Sequence, residues 1–153
     1  MRTVTDLTAD VAVRAERTAV PRFVELLAAR DFERLSATLA SDATGRRLLP
    51  RGPEAHAGRD AIVRRIESWF GSASVFELTS SSEEEVGLRQ RLTWRFSVVR
   101  DGRTREVVEQ VVCLDIGPPG VERIELLCSG FPPRPRPTAA PGAGSWARAM
   151  GAA

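Results

Sequence analysis

The sequence predicts an α+β domain in which three N-terminal helices pack on one face of a curved antiparallel sheet. Apolar residues recur at helical spacing over roughly the first 70 residues, whereas beyond them apolar and polar residues alternate. Turn-forming segments such as Asp101-Gly102 separate the alternating stretches, which is typical of neighbouring antiparallel strands. The chain of 153 residues has room for one hydrophobic core.

The N-terminal part of the chain is expected to contain the three helices. Thr8 can cap the first helix, and Pro21 either kinks this helix or starts a second segment of it. Asp31 is expected to cap the second helix, which ends before Ser41. The third helix is predicted over Arg59–Phe70 and is stopped by a glycine. The apolar face of the first helix carries Phe23, Val24, Leu26 and Leu27.

The strands are predicted from the alternation and from the turns between them. A short strand candidate, Arg46–Leu49, follows the second helix, and the turn-rich segment Pro50–Pro53 leads into a loop that contains His56. Glu83–Glu85 is expected to be a solvated loop ahead of a strand. Four longer strands are predicted beyond the third helix: Ser74–Ser81, Val86–Val99, Arg105–Ile116 and Val121–Ser129.

The C-terminal end differs in composition from the rest of the chain. Residues 132–153 are rich in proline, alanine and glycine and cannot bury a core, so we expect them to form a disordered tail that includes Trp146. The domain itself is expected to cover residues 1–131, with an N-terminal helical extension.

Charge and composition exclude several classes of function. Basic and acidic residues nearly cancel, 22 against 20, and are interspersed, so we expect no nucleic-acid partner. No segment is long and apolar enough to cross a membrane, and the N-terminus lacks the pattern of a signal peptide. We therefore expect a cytoplasmic protein with no membrane partner, in which Cys113 and Cys128 are reduced thiols.

The missing residue types are equally informative. The sequence contains no lysine, tyrosine or asparagine, and its single histidine is His56. One histidine cannot form a multi-histidine metal site, and no glycine-rich phosphate loop follows a predicted strand. We therefore expect neither a metal nor a cofactor. His56 and the pair Arg64-Arg65 are expected to face solvent.

Several local strings, in their order and spacing, resemble the ketosteroid isomerase and SnoaL-like polyketide cyclase branch of the nuclear transport factor 2-like superfamily. The resemblance covers roughly residues 20–131. It implies a cone-shaped (cystatin-like) sheet closed by helices, which holds a small, mostly apolar molecule and commonly dimerises through the sheet. The strings are Phe23-Val24-Glu25-Leu26, Asp31-Phe32-Glu33, Ala40-Ser41-Asp42-Ala43-Thr44, Gly58-Arg59-Asp60-Ala61-Ile62 and Gln110-Val111-Val112-Cys113-Leu114-Asp115.

The resemblance also shows which catalytic groups this chain lacks. Ketosteroid isomerisation needs a carboxylate base and two neutral acids in an apolar pocket. The tyrosine that would stabilise the oxyanion aligns with Phe23, its supporting tyrosine with Ile66, the base with Arg47 or Leu49, and the second acid with Gln110. None of these side chains can shuttle a proton at neutral pH. The Arg-x-Asp pair of limonene-epoxide-hydrolase-like members is also missing from the predicted strands.

The leading hypothesis is therefore a small-molecule-binding protein without proton-shuttle chemistry. One alternative is a cyclase, dehydratase or isomerase of natural-product metabolism that uses the same pocket, with His56 or an acidic residue from an unpredicted loop as base. Another is a protein-interaction module. A homodimer formed through the sheet is expected in each case. The resemblance and the strand alternation together predict these pocket residues: Phe23, Leu49, Ile66, Trp94, Gln110 and Cys128.

Gln110 is predicted to lie among apolar neighbours, where an unpaired amide costs about 1–3 kcal/mol. It must therefore bond to a ligand or water, or else to the backbone or Gln90. Its orientation depends on the turn at Asp101–Arg103. A two-residue turn would bury the carboxylate of Glu109, whereas a three-residue loop places Trp94 opposite Gln110 on the inward face. Burial of an unpaired carboxylate costs more than an exposed ion pair gains, so we expect the three-residue loop.

Overall fold

The computed structural model describes residues 22–133. The predicted cap at Thr8, the kink at Pro21, and the tail from residue 134 onward with Trp146 lie outside this range. The described chain forms three helices and six strands, whose labels are used below. They are α1 (residues 22–29), α2 (Phe32–Ala37), β1 (Leu39–Leu49), β2 (Gly52–Ala57), α3 (Arg59–Phe70), β3 (Val75–Val86), β4 (Arg89–Val99), β5 (Arg105–Gly117) and β6 (Gly120–Cys128).

The six strands form one sheet with the order β2-β1-β6-β5-β4-β3. Strands β3 to β6 form an antiparallel meander, and β1 and β2 form a hairpin. The last strand, β6, returns to pair with β1 in parallel, so the prediction of a wholly antiparallel sheet is wrong at this one pair. Turn signals in the sequence constrain strands that follow one another, and β1 and β6 are joined by a long crossover that permits either direction.

The predicted α+β class and the helix Arg59–Phe70 are confirmed. The first strand is not confirmed as predicted, because β1 begins at Leu39 rather than Arg46. Its inward positions include Ala43 and Gly45, which are too small to give a clear apolar alternation. Gly45 allows α3 to pack closely there, since a Cβ atom would lie 3.2 Å from Cγ1 of Ile62.

A second correction concerns the segment before α3. The sequence predicts a loop, but Gly52–Ala57 forms the edge strand β2, in which His56 pairs with Gly45. Glycine, proline and alanine have low strand propensity, so the pairing with β1 rather than the local sequence determines this strand. His56 consequently has a half-buried position on a strand instead of a solvent-facing loop position.

The strand β3 is also longer than predicted. Glu83–Glu85 belongs to its exposed outer half and pairs with β4, where Arg91 lies 2.9 Å from Glu84. Charged residues are unsurprising at this edge, because they prevent pairing with another sheet. The acidic run was interpreted as a loop because charge alone does not distinguish a solvated strand from a solvated loop.

The predicted register between β4 and β5 is confirmed. Trp94 lies opposite Gln110, and Arg95 lies opposite Glu109. The loop Asp101–Arg103 has Gly102 at a φ of 73°, and Oδ1 of Asp101 accepts a hydrogen bond of 2.9 Å from the backbone N–H of Arg103. Glu109 is exposed and forms an ion pair with Arg95, so its carboxylate is not available to the interior.

The helices cover the inward face of the sheet and enclose the hydrophobic core. Phe70 at the end of α3 is fully buried and contacts several aromatic rings, with centroid distances of 4.7 Å to Phe76 and 5.8 Å to Phe96. A second aromatic contact lies nearer the middle of the sheet, where Phe23 of α1 stacks on Trp94 at 6.1 Å. The polar residues buried in the described chain are Arg47, Ser97 and Gln110.

Candidate functional site

A small cavity, called the inner cavity here, lies between the helices and the inward face of the sheet. Its volume is about 10 Å³, which is the space of a single water molecule. Four of the six predicted pocket residues line it, namely Phe23, Ile66, Trp94 and Gln110. The other lining residues are Leu27, Arg47, Trp69, Phe70, Val112, Ile124 and Leu126.

The remaining two predicted residues, Leu49 and Cys128, line an open cleft instead of the inner cavity. Leu49 follows Arg47 by two positions on β1, and Cys128 follows Leu126 by two positions on β6. Residues two positions apart point to the same face of a strand, so both side chains are one step farther along the inward face. The six residues therefore follow one another along the inward face, four of them at the inner cavity and two at the open cleft.

This open cleft, called the mouth cleft, has a volume of about 660 Å³. Its wall combines apolar side chains with several charged ones. Trp69 lines both the mouth cleft and the inner cavity, so its indole separates the two spaces. The residues lining the mouth cleft are Leu49, Pro50, Arg51, Glu54, Arg65, Trp69, Arg100, Cys128, Ser129, Gly130, Phe131 and Pro132.

Gln110 is buried and both ends of its amide have partners. Its Oε1 accepts a hydrogen bond of 2.8 Å from Nε1 of Trp94, and its Nε2 donates to Sγ of Cys128 at 3.3 Å. Neither the backbone nor Gln90, the structural partners considered from the sequence, holds the amide. These bonds fix the indole and the amide to each other in the wall of the inner cavity.

Arg47 is the charged residue of the inner cavity and is 2% exposed. Its Nη2 donates a hydrogen bond of 3.2 Å to the backbone carbonyl of Ile62. Its Nε and Nη1 are buried and have no hydrogen-bond partner within residues 22–133. Burial lowers the pKa of the guanidinium to about 10, which the negative charge of Glu54 opposes, so Arg47 remains cationic at neutral pH.

The rim of the mouth cleft carries an ion pair. Glu54 of β2 accepts hydrogen bonds from Nε and Nη2 of Arg65 at 2.9 and 2.6 Å, and Nε2 of His56 lies 3.6 Å from the same carboxylate. The hydrogen bonds and charge of Arg65, together with His56, hold the pKa of Glu54 below its usual value. Arg65 is therefore a paired, half-buried residue, and the expectation that it faces solvent freely is wrong.

Sequence reasoning missed the roles of Arg47, Trp69 and the Glu54–Arg65 pair. Arg47 was considered only as a position that lacks a base. A signal was present, because extending the strand alternation backward from Leu49 places Arg47 on the inward face. An inward arginine without a nearby acidic residue in sequence is a candidate binding group.

The arrangement supports binding more directly than proton transfer. No carboxylate or imidazole lines the inner cavity where residues 22–133 form it. Glu54 reaches the mouth cleft, but its lowered pKa makes it a weak base. The described residues contain no group of three or more histidine, cysteine, aspartate or glutamate side chains that could hold a metal ion. Among them, no helix is long and apolar enough to cross a membrane.

Comparison with known proteins identifies the fold. No protein-family model matches the sequence, and no curated protein matches it. Solved structures do match. Bal32a from a soil-derived mobile gene cassette is 17% identical with a TM-score of 0.64, over 75% of this chain and 89% of that one. A candidate polyketide cyclase from Xanthomonas campestris is 17% identical with a TM-score of 0.61, over 74% and 90%.

A third similar structure is a protein from Catenulispora acidiphila with a ketosteroid isomerase-like fold, solved in complex with trimethylamine. It is 14% identical with a TM-score of 0.59, over 71% of this chain and 83% of that one. At such low identities the likeness establishes the fold. The chain has the cone-shaped nuclear transport factor 2-like fold of SnoaL-like polyketide cyclases and ketosteroid isomerase-like proteins, as the resemblance in its sequence predicts.

Proposed function

We propose that this protein binds a small, largely apolar molecule at the open end of its cone and carries no ketosteroid-isomerase proton shuttle. The mouth cleft carries this proposal. Its volume of about 660 Å³ lies within the roughly 300–1,000 Å³ of small-molecule sites, and apolar side chains such as Leu49, Trp69 and Phe131 contribute to its wall. The inner cavity is too small to receive more than a water, so the ligand first contacts the protein at the cleft.

The absence of a shuttle follows from the groups at the four aligned positions. Phe23 and Ile66 have no proton to donate, Arg47 cannot accept one, and the amide of Gln110 is committed to Trp94 and Cys128. We expect no isomerisation of a 5-ene-3-ketosteroid. A measurable rate that disappears in Gln110→Leu would contradict this part of the proposal.

Binding can be tested with the neutral apolar dye N-phenyl-1-naphthylamine, whose fluorescence rises in an apolar site. Cys128→Phe should obstruct the cleft, whereas Val86→Phe makes an apolar change at a residue of β3 that is 50% exposed and does not line the cleft. We expect saturable binding to the wild type, a loss of at least tenfold in affinity in Cys128→Phe, and little change in Val86→Phe. Circular dichroism checks that both variants fold.

Native mass spectrometry of the freshly purified protein complements the dye. A co-purifying small molecule that is present on the wild type and on Val86→Phe, but missing from Cys128→Phe, would identify the ligand of the cleft. The proposal fails if the dye does not bind the wild type, or if both substitutions weaken its binding equally.

A cyclase, dehydratase or isomerase remains the second candidate, and the contact between His56 and Glu54 beside the mouth cleft favours it. In that reading the imidazole acts as a base on a molecule bound in the cleft. Two observations oppose this role: Arg65 already binds the carboxylate of Glu54, and His56 itself does not line the cleft. Turnover of a co-purified ligand that is lost in His56→Gln would favour the enzyme.

We also propose that the protein resides in the cytoplasm, because both of its cysteines are free thiols. We further propose that it forms a homodimer through the outer face of its sheet. Leu48 and Leu127 are each 53% exposed and are neighbours across β1 and β6, and Val111 lies beside Leu127 on β5. Such an apolar patch is typical of an interaction surface, which also fits the interaction-module alternative. Leu127→Glu should convert the dimer to a monomer in sedimentation analysis, whereas Leu88→Glu in an exposed turn should not.

A further inference from the structure

Arg47 is a buried cation whose hydrogen-bonding capacity residues 22–133 satisfy only in part. It is 2% exposed, and its Nε and Nη1 have no partner among residues 22–133. A buried cation that is only partly hydrogen-bonded is unfavourable, because the surrounding apolar groups cannot replace the water it loses. Nε and Nη1 of Arg47 are therefore donors that a bound group can satisfy.

The nearest carboxylate does not serve as its counter-ion. Glu54 is the cross-strand neighbour of Arg47, and its negative charge does raise the pKa of Arg47. Its oxygens, however, accept hydrogen bonds from Arg65 at 2.9 and 2.6 Å. The Glu54–Arg65 pair is neutral as a whole, so a positive charge remains in the inner cavity.

Trp69 lies between this charge and the mouth cleft. The guanidinium carbon of Arg47 is 5.5 Å from the centre of the indole ring, and that of Arg65 is 5.3 Å from it. Both distances are within the range of a cation–π contact. Because Trp69 lines both spaces, the route from the mouth cleft to Arg47 passes its indole.

We propose that Arg47 is the receptor for a carboxylate group on the ligand, with the apolar remainder of the ligand in the mouth cleft. This inference rests on the proposed function and specifies its ligand class. A carboxylate accepts strong, charge-assisted hydrogen bonds from guanidinium N–H groups in a site without water. Arg47 offers one positive charge among apolar side chains such as Phe23, Ile66 and Val112, so a singly charged carboxylate fits better than a phosphate dianion.

The test compares ligands that differ only in charge. Phenylacetate and phenylacetamide, and octanoate and octanamide, are titrated by calorimetry and by displacement of N-phenyl-1-naphthylamine at neutral pH. We expect the wild type to bind each acid at least tenfold more tightly than its amide. Trp69 should also report the acid through a change in tryptophan fluorescence.

The variants assign the preference to one side chain. Arg47→Met keeps the approximate volume and removes the charge, so it should weaken binding of the acid most and leave acid and amide with similar affinities. Arg46→Met is the matched control, because Arg46 is the adjacent residue on β1 and is exposed. It should keep the preference for the acid. Arg47→Lys, which retains a charge without the planar fork, should keep only part of it.

Each other outcome contradicts the inference in a recognisable way. If the wild type binds acid and amide equally, or if Arg46→Met removes the preference as fully as Arg47→Met, Arg47 is not the receptor. If the dye binds in the cleft but neither acid displaces it, the carboxylate inference fails while the proposed function stands. If the dye itself does not bind, the proposed function fails first. The wild-type comparison of acid and amide decides the question even if Arg47→Met does not fold.

Discussion

The two halves of the interior follow different physical rules. Around Phe70, aromatic rings fill the space with centroid distances of 4.7 Å to Phe76 and 5.8 Å to Phe96, and these side chains contain no polar atom. Around Arg47 the interior contains a cation, two of whose nitrogens have no partner in the described part of the chain, and the hydrogen-bonded pair Trp94–Gln110. The first half is built for stability. The second keeps polar groups that cost stability, which is characteristic of a functional site.

Truncation of the aromatic half should have the largest effect. Phe70 is fully buried, so Phe70→Ala removes a whole ring and leaves a cavity that its neighbours cannot fill completely. We expect the free energy of unfolding to fall by about 3–5 kcal/mol in urea titrations. Leu88→Ala, at a fully exposed position, is the control and should change it by less than about 0.5 kcal/mol. A loss below about 1 kcal/mol in Phe70→Ala would show that this half is loosely packed.

In the polar half, by contrast, we expect a substitution at Arg47 to raise the free energy of unfolding. Arg47→Met removes a buried charge that lacks a counter-ion and replaces it with an apolar side chain of similar length. The carbonyl of Ile62 loses one donor but lies within α3, where the helical backbone can still satisfy it. We expect the ligand-free protein to become more stable by about 1–4 kcal/mol.

Thermal and urea unfolding of Arg47→Met and of Arg46→Met measure this difference. Arg46→Met, at an exposed position, should change the free energy of unfolding only slightly. A clear destabilisation by Arg47→Met would mean that Arg47 is satisfied by groups outside residues 22–133, and the contrast between the two halves would disappear.

Some features of the two halves could be predicted from the sequence because they depend on neighbouring residues. The helix Arg59–Phe70 could be predicted because its periodicity is strong and a glycine ends it. The pairing of Trp94 with Gln110 could be predicted because one register would bury a carboxylate, and that cost exceeds anything an exposed ion pair returns. In both cases only a few local structures are possible, and they differ strongly in free energy.

The rest depends on contacts between distant segments. The edge strand Gly52–Ala57 is held by its pairing with β1, and its own residues give no strand signal. Leu49 and Cys128 lie on the inward face but line the mouth cleft rather than the inner cavity, because Trp69 lies between the two spaces. Arg47 could not be recognised as unpaired until β2 showed that Glu54 bonds to Arg65.

A smaller effect is expected at the hydrogen bond between Trp94 and Gln110. Gln110→Leu leaves the buried indole N–H without its acceptor and should cost about 1–3 kcal/mol. The double variant Gln110→Leu with Trp94→Phe also removes the indole N–H donor. The double variant should therefore be more stable than the sum of the two single losses predicts, as measured by a double-mutant cycle in urea. Strict additivity would indicate that the two side chains do not depend on each other.

The smallest effect is expected at the rim, where water screens the charges. Glu54→Gln weakens the pair with Arg65, both of whose side chains are 33% exposed, and should cost about 0.2–1 kcal/mol at neutral pH. Because the folded-state pKa of Glu54 is lowered, its contribution is fully present above the unfolded pKa and is lost as the pH falls through the folded value. The stability difference between the wild type and Glu54→Gln should thus be constant from neutral pH to about 5 and shrink below that.

Glu109→Gln, which weakens the more exposed pair with Arg95, is the matched control and should lose less at neutral pH. If the difference for Glu54→Gln persists unchanged in acid, the carboxylate charge is not what stabilises the rim.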